Sequence, residues 1–342
     1  MSKTILIIIS KITQLKFVEL SQIPEDQLKL DNYILIANME LKDKIPKEEL
    51  KYFSDIMYIP VNIINPIEVY HIESELIEIV RLICNKYSNV YAFVPDELNL
   101  ELVESVLSKF NLPTWNKQTA SICRDKLKMK QHMLLNGIRV PNFVHYNEEL
   151  TFNILVEKLA LPFVIKPTNK GGSLGVYIIK NLQEYQLFLA NYDKTWDYQA
   201  EEFIKGNLYH IDTVKYANKW FITIGEYLYP MAEFLHGKLM GSREITEIDN
   251  QYSQLLEFNK KFIDSLNNNG CYHLEVFISE KGEIIFLEIA WRQAGMIASN
   301  IFYQHFGTHP TTLYIMLHLG IYINQKMNGC CKKYKLQFFV EI

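Results

Sequence analysis

The stretch Tyr272–Ile289 constrains this chain most, because it reads as a hairpin that sets two glutamates face to face. Along it, Tyr272, Leu274, Val276 and Ile278 alternate with His273, Glu275 and Phe277. Successive strand side chains point to opposite faces, so these two sets look opposite ways. Ser279-Glu280-Lys281-Gly282-Glu283 follows, and then Ile284-Ile285-Phe286-Leu287-Glu288-Ile289, rich in β-formers. A two-residue turn at Lys281-Gly282 pairs Glu280 with Glu283 and Glu275 with Glu288. Leu274, Val276, Leu287 and Ile289 then share the buried face. The two glutamates share the other, with side chains about 5 Å apart. A divalent cation would turn their repulsion into coordination, and oxygen-only ligands point to Mg²⁺ or Mn²⁺. Two solvated glutamates on an open sheet face are the plainer alternative.

The 342 residues are enough for two or three structural units. With 49% hydrophobic and 22% charged residues, the composition is that of an ordinary soluble globular protein. A net charge of −4 gives no general attraction to nucleic acid or to an anionic membrane. Five cysteines, Cys84, Cys123, Cys271, Cys330 and Cys331, show no CxxC spacing. That pattern argues against a disulfide framework or a zinc site and fits a reducing cytoplasm. The apolar run near Met1 is too short to span a bilayer and reads as a buried first strand.

Residues 1–112 alternate between strand and helix patterns. Strands are expected at Thr4–Ile9, Tyr33–Ala37, Ile56–Ile59 and Val90–Val94, and helices at Val69–Tyr87 and Leu98–Phe110. Short apolar strands between helices predict a small, mostly parallel sheet. No G-x-G-x-x-G follows the first strand, which removes the dinucleotide fingerprint. Beyond Asn111-Leu112-Pro113, helices are expected at Arg124–Leu135, Glu148–Leu159, Gln251–Leu266 and after Pro310. Strands are expected at Phe163–Pro167 and Val176–Ile179, and they dominate 198–226 and 272–289.

The loop Lys170-Gly171-Gly172-Ser173-Leu174-Gly175 joins two expected strands, so it is no Walker P-loop. Its glycines let backbone N–H groups approach an anion, and Ser173 adds a donor. A flexible hairpin loop is the alternative. Lys166, just before it, favours phosphate.

The order of motifs resembles the ATP-grasp superfamily, of the carboxylate–amine ligase type. The matches are Asp125-Lys126, Gly137-Ile138-Arg139-Val140-Pro141, Val164-Ile165-Lys166-Pro167, Gly171–Gly175, Glu201-Glu202-Phe203-Ile204-Lys205-Gly206, His273–Phe277 and Glu288-Ile289-Ala290-Trp291-Arg292. The resemblance implies an α/β ATP-grasp fold. A small parallel α/β domain would cover 1–112, a mobile α+β lid 113–196, and an antiparallel α+β subdomain 197–342. It also implies roles. Lys126 and Lys166 would hold ATP phosphates as point charges. Gly171, Gly172, Ser173, Leu174 and Gly175 would close over them, and the backbone of Glu201 and Ile204 would read the adenine edge. Glu275 and Glu288 would hold Mg²⁺ or Mn²⁺, and Arg292 would stabilise the transferred phosphoryl group. For Arg292 the alternative is a surface salt bridge.

Two positions depart from the family pattern. Ala290 stands where an asparagine ligand is common; His273, opposite it in the expected register, is able to fill the gap, although a strand histidine with ordinary partners is the plainer reading. Leu208 stands where a glutamate commonly binds ribose, which leaves Asn207, His210 or Asp212 for that contact. The implied reaction activates a small-molecule carboxylate as an acyl-phosphate and joins it to an amine, releasing ADP and phosphate. Amino acids or peptides are the expected substrates, and a homodimer is common among relatives. Glu233, His236, Arg243 and Glu244 are candidates for substrate choice, with Arg243 a clamp for a carboxylate. Ala290 and Leu208 also motivate a second reading, a non-catalytic ATP-binding regulator. A third is an ATP-grasp enzyme that uses a thiol or bicarbonate.

Overall fold

A computed structural model describes residues 2–65, 68–113, 117–229, 240–321 and 337–339. Six strands open the chain: β1 (Thr4–Ile9), β2 (Asn32–Asn38), β3 (Asp55–Ile59), β4 (Val61–Ile63), β5 (Val69–His71) and β6 (Val90–Phe93). Four of them form an all-parallel sheet in the order β3-β2-β1-β6. Every residue of β1 is buried, as an unbroken aliphatic run requires in a parallel sheet covered on both faces. One face packs on helices Glu73–Lys86 and Leu100–Lys109 through Leu76, Val80, Val103 and Leu107. The other receives Ile315, Met316 and Leu319 of helix Pro310–Leu319, so a late segment of the chain seals the first domain. The helix expected from Val69 begins at Glu73 instead, because Val69-Tyr70-His71 pairs with β4.

A second, smaller sheet is antiparallel. It runs β7 (Phe143–His145), β10 (Tyr198–Glu202), β8 (Phe163–Pro167), β9 (Tyr177–Ile179). Its core is aromatic, with Tyr146, Phe163, Tyr185, Phe188 and Tyr198 packed together. The helix expected from Glu148 starts only at Phe152. Asn147 Oδ1 accepts the Glu149 N–H and diverts the backbone into a turn. By pairing, β10 sits with β7 and β8, and the chain enters the third sheet at Gly206.

The third sheet has six strands: β11 (Gly206–Tyr216), β12 (Lys219–Tyr227), β13 (Met240–Ile245), β14 (Gly270–Ser279), β15 (Ile284–Ala290) and β16 (Gln337–Phe339). They lie antiparallel in the order β15-β14-β11-β12-β13-β16. On one face, Tyr209, Ile211, Tyr272, Leu274 and Val276 meet helix Tyr252–Ser265, helix Lys126–Leu135 and Ile122 of helix Lys117–Ile122. At one end of the other face, Val214 and Cys271 meet helix Met296–Phe306 and helix Pro310–Leu319. The helices Lys117–Ile122 and Met296–Phe306 were not expected from the sequence. No helix among the described residues is long and apolar enough to cross a membrane.

The hairpin corrects one expectation while keeping its result. The turn is not two residues long. Ser279 N–H donates to Glu283 O at 2.9 Å and Gly282 N–H to Ser279 O at 2.8 Å, and Gly282 has φ +81°. Glu280-Lys281-Gly282 is therefore a three-residue loop with glycine in the left-handed region. Val276 faces Phe286 rather than Leu287. A bulge then restores the pairing, so that Glu275 faces Glu288, Leu274 faces Ile289 and His273 faces Ala290. Phe286 enters the core in place of Leu287, and Leu287 turns half-buried toward a cavity.

At Gly206, where the chain passes between sheets, a Cβ would lie 2.1 Å from the Ile278 carbonyl oxygen. Backbone cannot yield as a side chain can. Gly206→Ala is expected to lower stability by about 2 kcal/mol in urea unfolding. An unchanged midpoint would show that the crossover is free to shift.

Candidate active site

A cavity of about 620 Å³ opens between the second and third sheets, and Glu97 of the first domain adds to its wall. Glu97, just after β6, comes from the first domain. Lys166, Gly171, Gly172, Ser173 and Leu174 come from β8 and its loop, and Ile204 from the link between β10 and β11. Glu275, Glu288 and Arg292 come from β14, β15 and the segment after it. The hairpin, the loop and the arginine motif, distant in sequence, thus meet as expected. Gly175 is the exception, since it does not line the cavity. It sits at φ +70°, where an added Cβ would press on Pro167 at 2.9 Å and Trp196 at 3.0 Å.

Each cation has a defined seat. Asp125 caps helix Lys126–Leu135, its carboxylate accepting from the Leu127 and Lys128 N–H groups. That fixes Lys126 at the first turn, where its Nζ donates to Lys170 O at 2.5 Å and lies 3.4 Å from Glu288 Oε2. Lys166 Nζ meets Glu201 Oε1 at 2.6 Å. Lys130, which the sequence did not single out, lies 2.9 Å from Glu201 Oε2 and is wholly buried. One carboxylate thus lies between two ammonium groups. Burial pushes the Glu201 carboxyl up, but Lys130 and Lys166 outweigh it and hold it below the usual range. Burial dominates at Lys130 and brings it down to about 8 despite Glu201.

Arg292 is no surface salt bridge. Its Nε and Nη2 donate to Glu97 Oε2 at 3.0 and 2.7 Å, and Arg124 Nη1 reaches Glu97 Oε1 at 3.2 Å. Burial would raise the Glu97 carboxyl, yet Arg292 and Arg124 bring it to about 2. Glu97 was missed from the sequence. Its place after a parallel strand, at the carboxyl edge where α/β sheets bind ligands, was the available signal.

The two glutamates face the cavity side by side. Glu275 is buried, and its Oε1 accepts from Tyr227 Oη at 2.9 Å and meets His273 Nε2 at 3.3 Å. Burial acts to raise its carboxyl, and His273 more than reverses this. Ala290 lines the cavity without a ligand atom. His273 is not a free ligand in its place, because both ring nitrogens are engaged, Nδ1 with Asp212 Oδ1 at 2.9 Å and Nε2 with Glu275 Oε1 at 3.3 Å. Leu208 also lines the wall. The substitutes expected for ribose are absent from the cavity lining: Asn207 donates to Glu226 at 2.8 Å, and His210 and Asp212 lie inside the sheet. Arg243 is clamped between Glu226 at 2.6 Å and Asp249 at 2.7 Å, and Glu244 meets His305 at 3.0 Å. Neither lines the cavity. Glu233, His236, Cys330 and Cys331 lie outside the described residues.

The loop is tied down at its start. Lys170 forms an ion pair with Glu68 of the first domain and lies 4.6 Å from the Trp196 ring centre. Gly172 and Ser173 take positive φ, +62° and +59°.

Residues 159–300 match the family model of the ATP-grasp domain. The L-arginine-specific L-amino acid ligase of Bacillus subtilis is 29% identical over 188 residues, 52% of this chain and 45% of that protein. The D-alanine–D-alanine ligase of Clostridium beijerinckii is 31% identical over 138 residues, 39% of this chain and 44% of that one. The matched stretches therefore span less than half of either relative. Among solved structures, an L-amino acid ligase from Bacillus licheniformis gives a TM-score of 0.71 at 19% identity, over 93% of this chain and 74% of that one. The N5-carboxyaminoimidazole synthetase from Staphylococcus aureus complexed with ADP gives 0.66 at 15%, over 95% and 79%. At these identities the structural likeness is one of fold.

Removing the charge at the centre of the lysine pair would leave Lys130 buried and uncompensated. Glu201→Gln is expected to lower stability by about 3 kcal/mol in urea unfolding, and adding Lys130→Met to recover most of it. Additive losses in the double variant would show that the two side chains do not act as a pair.

Proposed function

From the match of residues 159–300 to the ATP-grasp domain, we propose that this chain is an ATP-dependent carboxylate–amine ligase acting on amino acids or small peptides. One observation carries the reading. Two opposed carboxylates, Glu275 and Glu288, share a cavity with Lys126, Lys166 and Arg292, and a glycine-rich loop borders it. The donor set fits Mg²⁺-ATP. Two oxygen ligands on adjacent strands suit a hard cation, and the cations suit a polyphosphate. Lys126 and Lys166 would hold phosphate oxygens, and Gly171–Leu174 would cover them. The backbone at Glu201 and Ile204 would meet the base. Bound Mg²⁺-ATP supplies the phosphoryl group that makes a carboxylate reactive toward an amine. Arg292, held in the cavity wall by Glu97, would neutralise charge as it moves to the carboxylate. The loop excludes water from that exchange. The names of the relatives, an L-arginine-specific L-amino acid ligase and a D-alanine–D-alanine ligase, support amino-acid substrates.

A non-catalytic ATP-binding protein is the second reading, favoured by Ala290 and Leu208 in the cavity wall. ADP release separates the two. With Mg²⁺-ATP and a panel of amino acids, alone and in pairs, a ligase releases ADP only when both partners are present. Chelating the metal is expected to stop it. Binding of ATP without turnover on any pair would favour the second reading.

Glu288→Gln and Arg292→Ala are each expected to lower turnover by about a hundredfold or more while the protein still unfolds cooperatively, Arg292→Ala at a lower melting temperature because it leaves Glu97 with Arg124 alone. Wild-type rates in both variants would remove these residues from the reaction.

A further inference from the structure

The hairpin alone does not hold Glu275. Behind it runs a line of buried polar side chains that the reaction above does not use. β11 and β14 pair so that His210 lies opposite Glu275 and Asp212 opposite His273. Alternate residues share a face, so all four lie on the cavity side of the sheet. Asp212 is 1% exposed and each of its oxygens has its own partner. Oδ1 accepts from His273 Nδ1 at 2.9 Å, and Oδ2 from His210 Nδ1 at 2.8 Å. His273 Nε2 continues to Glu275 Oε1, and His210 Nε2 ends on Ser242 Oγ at 2.7 Å.

The sheet makes room for this line. Gly225 lies opposite His210 on β12, and a Cβ there would come within 2.1 Å of His210 Nε2. A glycine in mid-strand weakens a sheet, and buried polar groups stabilise one less than aliphatic groups of the same size. What the polar line adds is direction. Tyr227 and His273 both bond to Glu275 Oε1, and among the described residues Oε2 has no protein partner. One oxygen is fixed, and the carboxylate plane is set with it. His210, Asp212 and His273 could themselves ligate an ion, their atoms lying within 4.8 Å of one another. Yet each imidazole Nδ1 already sits at hydrogen-bond distance from its own Asp212 oxygen.

We propose that Asp212 and His273 are positioning residues that fix the orientation of Glu275 and so set the affinity of the site for its divalent cation. Metal-ligating carboxylates are commonly held by partners of this kind, whose loss weakens metal binding by about ten- to a hundredfold. The proposal rests on the reading of Glu275 as a cation ligand, and the test separates the two.

Mn²⁺ binding to the full chain saturated with ADP, read by electron paramagnetic resonance, is the measurement. In Glu275→Gln, affinity is expected to fall about tenfold or more. Wild-type affinity there overturns the ligand reading, and the proposal with it. Given that loss, Asp212→Asn is expected to weaken Mn²⁺ about tenfold while melting as a folded protein. Folded Asp212→Asn with wild-type affinity overturns the proposal and leaves Glu275 a ligand. If Asp212→Asn does not fold, His273→Gln and His273→Asn decide. Glutamine places an amide near the position of Nε2 and keeps a donor to Glu275. Asparagine places one near Nδ1 and keeps only the bond to Asp212. Both remove the same ring, so a packing role predicts equal Mn²⁺ affinity. The proposal predicts that the glutamine variant binds about tenfold more tightly, and equal affinities overturn it. One equivalent of zinc in the purified protein would also overturn it, by making the triad a metal centre.

Discussion

The antiparallel ladder between β11 and β14 is the interaction on which the rest of this structure depends. It pairs Gly206–Lys215 with Gly270–Ser279 without a break. One face carries Tyr209, Ile211, Tyr272, Leu274 and Val276, all buried in the largest core. The other carries Leu208, His273, Glu275 and Phe277, which line the cavity. A slip of one residue would exchange the two faces, sending aliphatic side chains to the cavity and charges into the core. The cost of that exchange holds the register, and the register holds the site.

The charges in the cavity wall obey a second constraint. The chain as a whole is slightly acidic, with a net charge of −4. Around the cavity the balance is different. Glu97 lies between Arg124 and Arg292, and Glu201 lies between Lys130 and Lys166. Each carboxylate neutralises one cation and leaves the other in excess. Burial makes such pairs costly to break, because either charge left alone would be poorly solvated. Lys126, Lys166 and Arg292 thus face the cavity together with Glu275 and Glu288, a wall whose two signs suit a polyanion that carries a divalent cation.

Much of this was legible in the sequence, for definite reasons. Period-two alternation at 272–278 gave the strand and its faces, and the unbroken aliphatic run at Thr4–Ile9 gave a parallel sheet. Lys126, Lys166, Glu275, Glu288 and Arg292 meet at one cavity, as the order of motifs implied. What escaped was what depends on partners far away in the chain. Glu97 matters because Arg292 reaches it, and Lys130 because Glu201 does. Asn207, Asp212, His210 and Arg243 looked free as letters, yet each already has a partner in the chain. Helix starts moved where a local side chain competed with the backbone, as at Asn147.

The hairpin at 270–290 carries a consequence for how such a chain can change over time. Its loop is one residue longer than the simplest turn, and its bulge absorbs that residue before the glutamates are reached. The two irregularities cancel. Straightening the bulge while keeping the three-residue loop would pair Glu275 with Leu287 and swing Glu288 to the opposite face. Tightening the loop at the same time to the two residues Lys281 and Gly282 would pair Glu280 with Glu283 and leave Glu288 in place. The two forms contain the same number of residues, so one becomes the other only if loop and bulge change together. Aligned residue by residue, descendants with either form would look alike at this glutamate, although the backbone bonds between the two strands had been redrawn.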